Sequence, residues 1–273
     1  MKASHKTVVF GIGAMGSALV KGWISSKMMK PSSITAVDPD QVKCKKTAAQ
    51  LKIKSESNPG KTLKGASLIL LAVKPQQMKE LLAQSGSFFP KKALVVSIAA
   101  GVSIEQIEKA LPQGCPVIRV MPNTPALLGS GMAAVAGGQR AKPAHVKLVL
   151  KLFSAVGQAV QVEENQMDLV TAVSGSGPAY FFHMVEAMVE AGIKGGLSKE
   201  VAHQLVAQTI YGAARMVLET GKTPTELRIQ VTSPGGTTQA ALTRMAEKGF
   251  RETIYEAVEA ATQRGAELRQ MSN

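Results

Sequence analysis

A chain of 273 residues is long enough to bury a sizeable core and to divide into two domains. At 45% hydrophobic and 19% charged, its composition excludes a disordered chain, and its longest weakly polar stretch, 93–104, falls far short of the ~20 residues of a transmembrane helix. The net charge of +13 is unevenly spread: residues 1–150 carry 21 Lys or Arg against 6 Asp or Glu, and residues 151–273 carry 11 against 13.

The basic residues are mostly lysines without interleaved aromatics, and aromatics are 4% of the chain, so stacking platforms for nucleic acid are missing. The positive field reads instead as a solvated surface that draws in an anionic cofactor. Cys44 and Cys115 lie far apart with no histidine at metal spacing, which argues against a disulfide framework or zinc site and for a cytoplasmic location. His5, His145, His183 and His203 are scattered and read as structural or exposed.

Residues 7–10 (Thr-Val-Val-Phe) read as a short buried strand. Lys2 and Lys6 before an apolar run resemble the start of a secretory signal, but three glycines and the lack of an Ala-x-Ala-like site favour a strand and a turn. Gly11-Ile12-Gly13-Ala14-Met15-Gly16 follows at once, and Leu19, Val20, Trp23 and Ile24 continue at helical spacing. A GxGxxG between strand and helix is a dinucleotide fingerprint. Gly11 permits the tight turn, Gly13 lets a pyrophosphate approach the backbone, and Gly16 lets helix and strand pack closely.

A second strand, 34–37, ends at Asp38, 22 residues beyond Gly16. An acidic side chain there commonly grips the adenosine ribose, favouring NADH and repelling the extra phosphate of NADPH. Asp38-Pro39 also makes a good turn, and Lys43, Lys45 and Lys46 just beyond are placed to meet a 2′-phosphate, so both cofactors remain open. The strand 67–73 ends at Lys74-Pro75, and the strand 94–98 ends at Ala99-Ala100-Gly101; both ends should face the cofactor crevice. Ser103 and Gln106 form a capping box for a short helix. The strand 117–120 is terminated by Met121-Pro122-Asn123-Thr124-Pro125, a proline-fixed loop suited to a nicotinamide wall or to an ordinary turn. A helix over 144–155 and a weak strand over 159–162 follow.

The acidic pair Glu163-Glu164 leads towards Ser174-Gly175-Ser176-Gly177-Pro178-Ala179-Tyr180, where hydroxyls and glycines precede a long apolar helix. Pro178 suits a first helical turn, and free amides there would favour an anion; a flexible turn is the plainer reading. Phe181, Phe182, Val185, Met188, Val189 and Ile193 predict a buried helix that forms the spine of the second half, stopped by Gly195-Gly196. Ser198 caps a further helix, Thr223-Pro224-Thr225-Glu226 is a capping box, and Thr232-Ser233-Pro234-Gly235-Gly236-Thr237-Thr238 again places hydroxyls and glycines at a helix start. A last helix runs over 250–268. Strands alternating with helices, then helices alone, predict an α/β chain: an N-terminal Rossmann dinucleotide-binding domain, residues 1–162, and an all-helical C-terminal domain, residues 163–273.

The segments Gly11 to Gly16, Ala72-Val73-Lys74-Pro75, Ala99-Ala100-Gly101, Met121 to Pro125, Ser174 to Tyr180 and Thr232 to Thr238 resemble, in this order, those of pyrroline-5-carboxylate reductases. The resemblance covers essentially the whole chain, and its last two segments are the specific ones. It implies NADPH- or NADH-dependent reduction of 1-pyrroline-5-carboxylate to L-proline, the final step of proline biosynthesis. It also implies a homodimer formed through the helical domain, with rings of dimers up to a decamer, and a substrate held between one subunit's cofactor and the other's helices. No metal, nucleic acid or membrane is expected as a partner.

Carried over by position, the cofactor would contact Gly11, Ile12, Gly13, Ala14, Met15, Gly16, Asp38, Asn58, Ala72, Val73, Lys74, Pro75, Ala99, Ala100, Gly101 and Asn123. Substrate would contact Glu164, Ser233, Gly235, Gly236, Thr237 and Thr238, with Ser176 nearby; Thr238, Glu164 and Ser176 form the implied catalytic set. A small carboxylate suits the amides at a helix start, and the Thr238 hydroxyl would donate a hydrogen bond, or relay a proton through water, to the imine nitrogen. Glu164 would stabilise that cationic nitrogen, or else be a helix-start carboxylate favoured by the dipole. Relatives often carry Ser, Thr or Asn where this chain has Val37-Asp38, which bears on cofactor choice. A hydroxyacid dehydrogenase of similar build is the nearest alternative. Those enzymes carry a lysine on the central helix to accept the alcohol proton, whereas 181–193 offers none. A protein that holds the dinucleotide without turning it over is the non-catalytic alternative.

Overall fold

The structure, a computed structural model, describes residues 6–271; Lys2 and His5 lie outside the described residues. The first half alternates strand and helix: β1 (Lys6–Phe10), α1 (Ala14–Ser25), β2 (Ile34–Val37), α2 (Gln41–Leu51), β3 (Lys54–Ser55), α3 (Pro59–Leu63), β4 (Ala66–Leu71), α4 (Pro75–Ser85), β5 (Leu94–Ser97), α5 (Ile104–Ala110), β6 (Val117–Pro122), β7 (Gly131–Gly137), α6 (Pro143–Phe153) and β8 (Gly157–Gln161). The strands form one sheet in the order β3-β2-β1-β4-β5-β6-β7-β8. Only the β6/β7 pair is antiparallel. Strand order reverses between β1 and β4, and at such a switch point a crevice opens at the carboxyl ends of the strands.

Alternation along β1 divides the core between the two faces of the sheet. Val8 and Phe10 pack with Leu63, Met78, Leu82 and Ile107 of α3, α4 and α5, while Val9 packs with Leu19, Trp23, Cys44 and Phe153 of α1, α2 and α6. The Trp23 indole N–H donates to the Leu152 carbonyl at 2.9 Å, so this large buried ring keeps its polar atom satisfied and pins α1 to α6. The strand β7 was not expected from Gly-Met-Ala-Ala-Val-Ala-Gly. Glycine and alanine have little strand preference, and pairing on both edges supplies what propensity lacks. The short β3 and the largely polar α2 and α4 likewise enter only with the structure.

Beyond β8 come α7 (Met167–Val170), a π-turn over Thr171–Gly175, α8 (Gly177–Lys194), α9 (Lys199–Glu219), α10 (Pro224–Gln230), α11 (Thr237–Glu247) and α12 (Phe250–Met271). The chain packs as two compact units: one runs through Ser176 and resumes at Ala260, and the other is Gly177–Glu259. The break in packing thus falls after the 162/163 boundary read from the sequence, because Met167 and Ala172 are fully buried in the first unit. The expected caps form in the second unit. Ser198 accepts from the Val201 amide at 3.3 Å, and Thr223 and Glu226 exchange bonds of 2.7 and 3.2 Å. Gly192 lets α8 and α9 approach closely, since a β-carbon there would lie 3.2 Å from that of Ala202. The α8 stripe expected to be buried is open instead: Phe181 is 56% and Phe182 62% exposed.

Candidate active site

The loop after β1 is shaped by close backbone approach. Gly11 has φ +89°, and a β-carbon there would lie 2.5 Å from the Ala72 carbonyl oxygen at the end of β4. Gly16 packs so tightly on the Gly11 carbonyl that a methyl group would not fit. Gly13 is different: a β-carbon there would meet only the Lys43 Nζ, at 3.9 Å. The backbone at Gly13 therefore faces open space, as a pyrophosphate requires, and α1 begins beside it with no side-chain cap. These residues fit a dinucleotide.

The remaining cofactor candidates are each held by contacts of their own. Asp38 Oδ2 accepts from the Ile12 amide at 2.9 Å, and Oδ1 accepts from the Asp40 amide at 3.0 Å, so one carboxylate fixes both the glycine loop and its own turn. Asn58 Oδ1 caps α3 through the Lys61 amide at 3.1 Å. The Lys74 amide donates to Gln77 Oε1 at 3.4 Å at the start of α4, where Pro75 is the first residue. Ala72 and Val73 lie against Gly11. After β5, the buried Ala99 donates its amide to Ser97 Oγ at 3.3 Å, and Gly101 turns the chain at φ +72°. Asn123 is committed to the loop: its Oδ1 accepts from the Met132 amide at 2.8 Å, and its Nδ2 donates to the Ser174 carbonyl at 3.2 Å.

Two expectations change. The stretch before α8 is no free helix start, because the π-turn runs into it and the Ser176 amide donates to the Thr171 carbonyl at 2.8 Å. The chain's own carbonyl takes the place an anion would have filled there. Glu164 is likewise engaged: its Oε1 accepts from the Ile104 amide at 2.7 Å, at the start of α5, and lies 3.6 Å from Arg119 Nη1. It is thus a helix-start carboxylate, but for α5 rather than for its own turn.

Arg119, in β6, was not singled out from the sequence. Its guanidinium is 2% exposed and lies 3.9 Å from Asp168, whose other oxygen pairs with Arg269 of α12 at 3.1 Å. Burial draws the Arg119 guanidinium below its ordinary value, opposed by the charges of Glu164 and Asp168. An arginine inside the apolar run Val117–Val120 was the signal, since a charged group in a central strand stays only when it is paired.

In the second unit, Gly235 (φ +69°) turns the chain and donates its amide to Gln239 Oε1 at 2.6 Å. Gly236 lies against Ser233 Oγ with no room for a side chain. It is the N-cap of α11 and offers no side-chain cap, so the first amides of the helix are left for an external acceptor. Thr237 there is exposed and Thr238 half-buried.

A fingerprint loop that opens on the switch point of a mostly parallel sheet, followed in the chain by a helical unit with an uncapped, hydroxyl-bearing helix start, defines a nicotinamide-dinucleotide oxidoreductase. A family model described as "NADP oxidoreductase coenzyme F420-dependent" matches residues 6–101, and one described as "Pyrroline-5-carboxylate reductase dimerisation" matches residues 164–268. The chain is 40% identical over 265 residues to a pyrroline-5-carboxylate reductase of Methanosarcina acetivorans, covering 97% of this chain and 98% of that one. Among solved structures it is similar to that of a pyrroline-5-carboxylate reductase from Coxiella burnetii, at 34% identity and TM-score 0.89 over 97% of this chain and 99% of that one. It is also similar to the Plasmodium falciparum pyrroline carboxylate reductase with NADP bound, at 30% identity and TM-score 0.86 over 97% and 98%. The chain belongs to the pyrroline-5-carboxylate reductase family.

Proposed function

We propose a division of labour in the reaction of this family, the NADPH- or NADH-dependent reduction of the C=N bond of 1-pyrroline-5-carboxylate to L-proline that ends proline biosynthesis. Residues Gly11 to Gly16, Asp38, Asn58, Ala72 to Pro75, Ala99 to Gly101 and Asn123 form or brace the cofactor crevice. The open backbone at Gly13 is the observation that carries this assignment. The bound reduced nicotinamide supplies a hydride to the imine carbon, and positioning of the two reactants accounts for much of the rate.

The amides of Thr237 and Thr238 at the start of α11, with Ser233, Gly235 and Gly236 shaping the approach, hold the substrate carboxylate. Thr238 Oγ1 donates a hydrogen bond to the ring nitrogen, or relays a proton to it through water; a threonine hydroxyl is too weak an acid to give up its own proton outright. Glu164 acts with Arg119 on the crevice side, and Ser176 stands near the substrate. The match to the dimerisation family from residue 164 supports a homodimer and a functional division at 162/163; a site shared by two copies and rings up to a decamer are what the family resemblance implies. The thiols of Cys44 and Cys115, both free and buried, support a cytoplasmic location. Among the described residues no helix is long and apolar enough to cross a membrane.

The test follows NADPH and NADH absorbance with 1-pyrroline-5-carboxylate, and then reduction of NADP and NAD by 3-hydroxy acids. Proline formation with no hydroxy-acid oxidation is expected. Dinucleotide binding without proline formation would overturn the reading, and hydroxy-acid turnover would favour the dehydrogenase alternative.

A further inference from the structure

We infer that Lys43, the third residue of α2, supplies the positive charge for the pyrophosphate of the bound dinucleotide. The inference rests on the dinucleotide reading of the glycine loop and names a residue that the loop's own pattern does not contain. Apart from the chain neighbours of Gly13, Lys43 is the one residue among those described whose side chain comes within 4 Å of where a Gly13 β-carbon would stand, and the atom is its ammonium nitrogen, at 3.9 Å. The direction of that missing β-carbon is the direction from which a pyrophosphate approaches the second glycine of the fingerprint. Lys43 is exposed along its length, yet its charge is brought back over the loop.

The elements around it hold this placement. Asp40 caps α2 by accepting from the Lys43 amide at 3.0 Å, which fixes the first turn from which the side chain departs. Asp38, the nearby acid at the end of β2, has its two oxygens engaged by the Ile12 and Asp40 amides. Among the described residues no carboxylate lies within ion-pair distance of Lys43. The ammonium is therefore an uncommitted cation beside an open backbone. The Asp38 carboxylate marks the ribose end of the crevice as negative, which separates the Lys43 charge from a 2′-phosphate and leaves the pyrophosphate as its partner. The contact is common to NADH and NADPH, so Lys43 adds affinity without choosing between them.

The test is fluorescence titration of NADH and of NADPH into the purified full chain and into Lys43→Met, Lys43→Arg and Lys79→Met, the last removing an exposed α4 lysine as a charge control. Lys43→Met should weaken both dinucleotides by the same factor, about three- to tenfold, with a flatter salt dependence, as expected for losing one partly screened ion pair. Lys43→Arg and Lys79→Met should bind as the parent does, and an unchanged melting temperature should accompany all three. Weakening of NADPH alone would overturn the inference by assigning Lys43 to the 2′-phosphate. Unchanged binding of both by Lys43→Met would overturn it by leaving the ammonium as a solvated bystander. A parent chain that binds neither dinucleotide would overturn the cofactor reading itself, and this one with it.

Discussion

The two compact units solve the same problem in opposite ways. In the first, large side chains such as Phe10, Trp23 and Phe153 are about 1% exposed, because helices cover both faces of the sheet. In the second, Phe182, Tyr211 and Leu218 are 62%, 58% and 72% exposed, and among its buried hydrophobics only Ala202, Val206 and Leu227 stand out. A monomer seldom leaves an apolar patch larger than a few hundred Å² in water, at roughly 25 cal/mol per Å² of burial forgone. The first unit completes its core within one chain; the helical unit leaves an apolar face open, in keeping with its match to a dimerisation family.

The strongest way to break that contrast is Phe182→Glu, which puts a charge in the open stripe of α8. The variant should sediment as a monomer and lose activity by about a hundredfold or more, as for a central interface residue. A fully active dimer would remove this face from the interface. Next in size is Arg119→Met, which removes the buried cation between Glu164 and Asp168 and leaves them the Ile104 amide and Arg269. Urea unfolding should show a loss of about 1–3 kcal/mol, less than for a fully stranded charge, because Asp168 keeps Arg269 and Glu164 is partly open to water. A change below ~1 kcal/mol would mean that the carboxylates find water instead.

Within the helical unit, Thr238→Ala should lower kcat/KM by roughly tenfold to a thousandfold while leaving sedimentation unaltered, since it removes a proton-donating contact and only one methyl group. Unchanged kinetics would take Thr238 out of the mechanism. The smallest effect belongs to the first unit: Asp38→Ser should raise the NADPH to NADH ratio of kcat/KM by about three- to tenfold, by removing a negative charge near the ribose. Because Asp38 also holds the Ile12 amide, KM for both dinucleotides should rise as well. An unaltered ratio would confine Asp38 to shaping its turn.

Much of the site was legible because local chemistry writes it. Gly11, Gly13 and Gly16 between a strand and a helix foretold the loop, and Ser103-Gln106 and Thr223-Glu226 foretold their caps, since each involves residues only a few positions apart. Other features depend on partners far along the chain. The role of Glu164 needed Ile104 and Arg119 to come beside it, and Asn123 needed Met132 and Ser174. The apolar period of α8 announced a helix correctly but could not say what would cover it.

By itself the amino-acid order determined most of the buried strands, the long helices of the second half, the dinucleotide fingerprint and the family, because periodicity, glycine placement and capping act over a few residues. Only the tertiary structure decided that β7 pairs on both edges, that the Ser176 amide is taken by the Thr171 carbonyl, that Arg119 gathers two carboxylates and that the Lys43 ammonium lies beside Gly13. Those outcomes are set by which distant segments the sheet brings within a few ångströms of one another, a distance that no local pattern encodes.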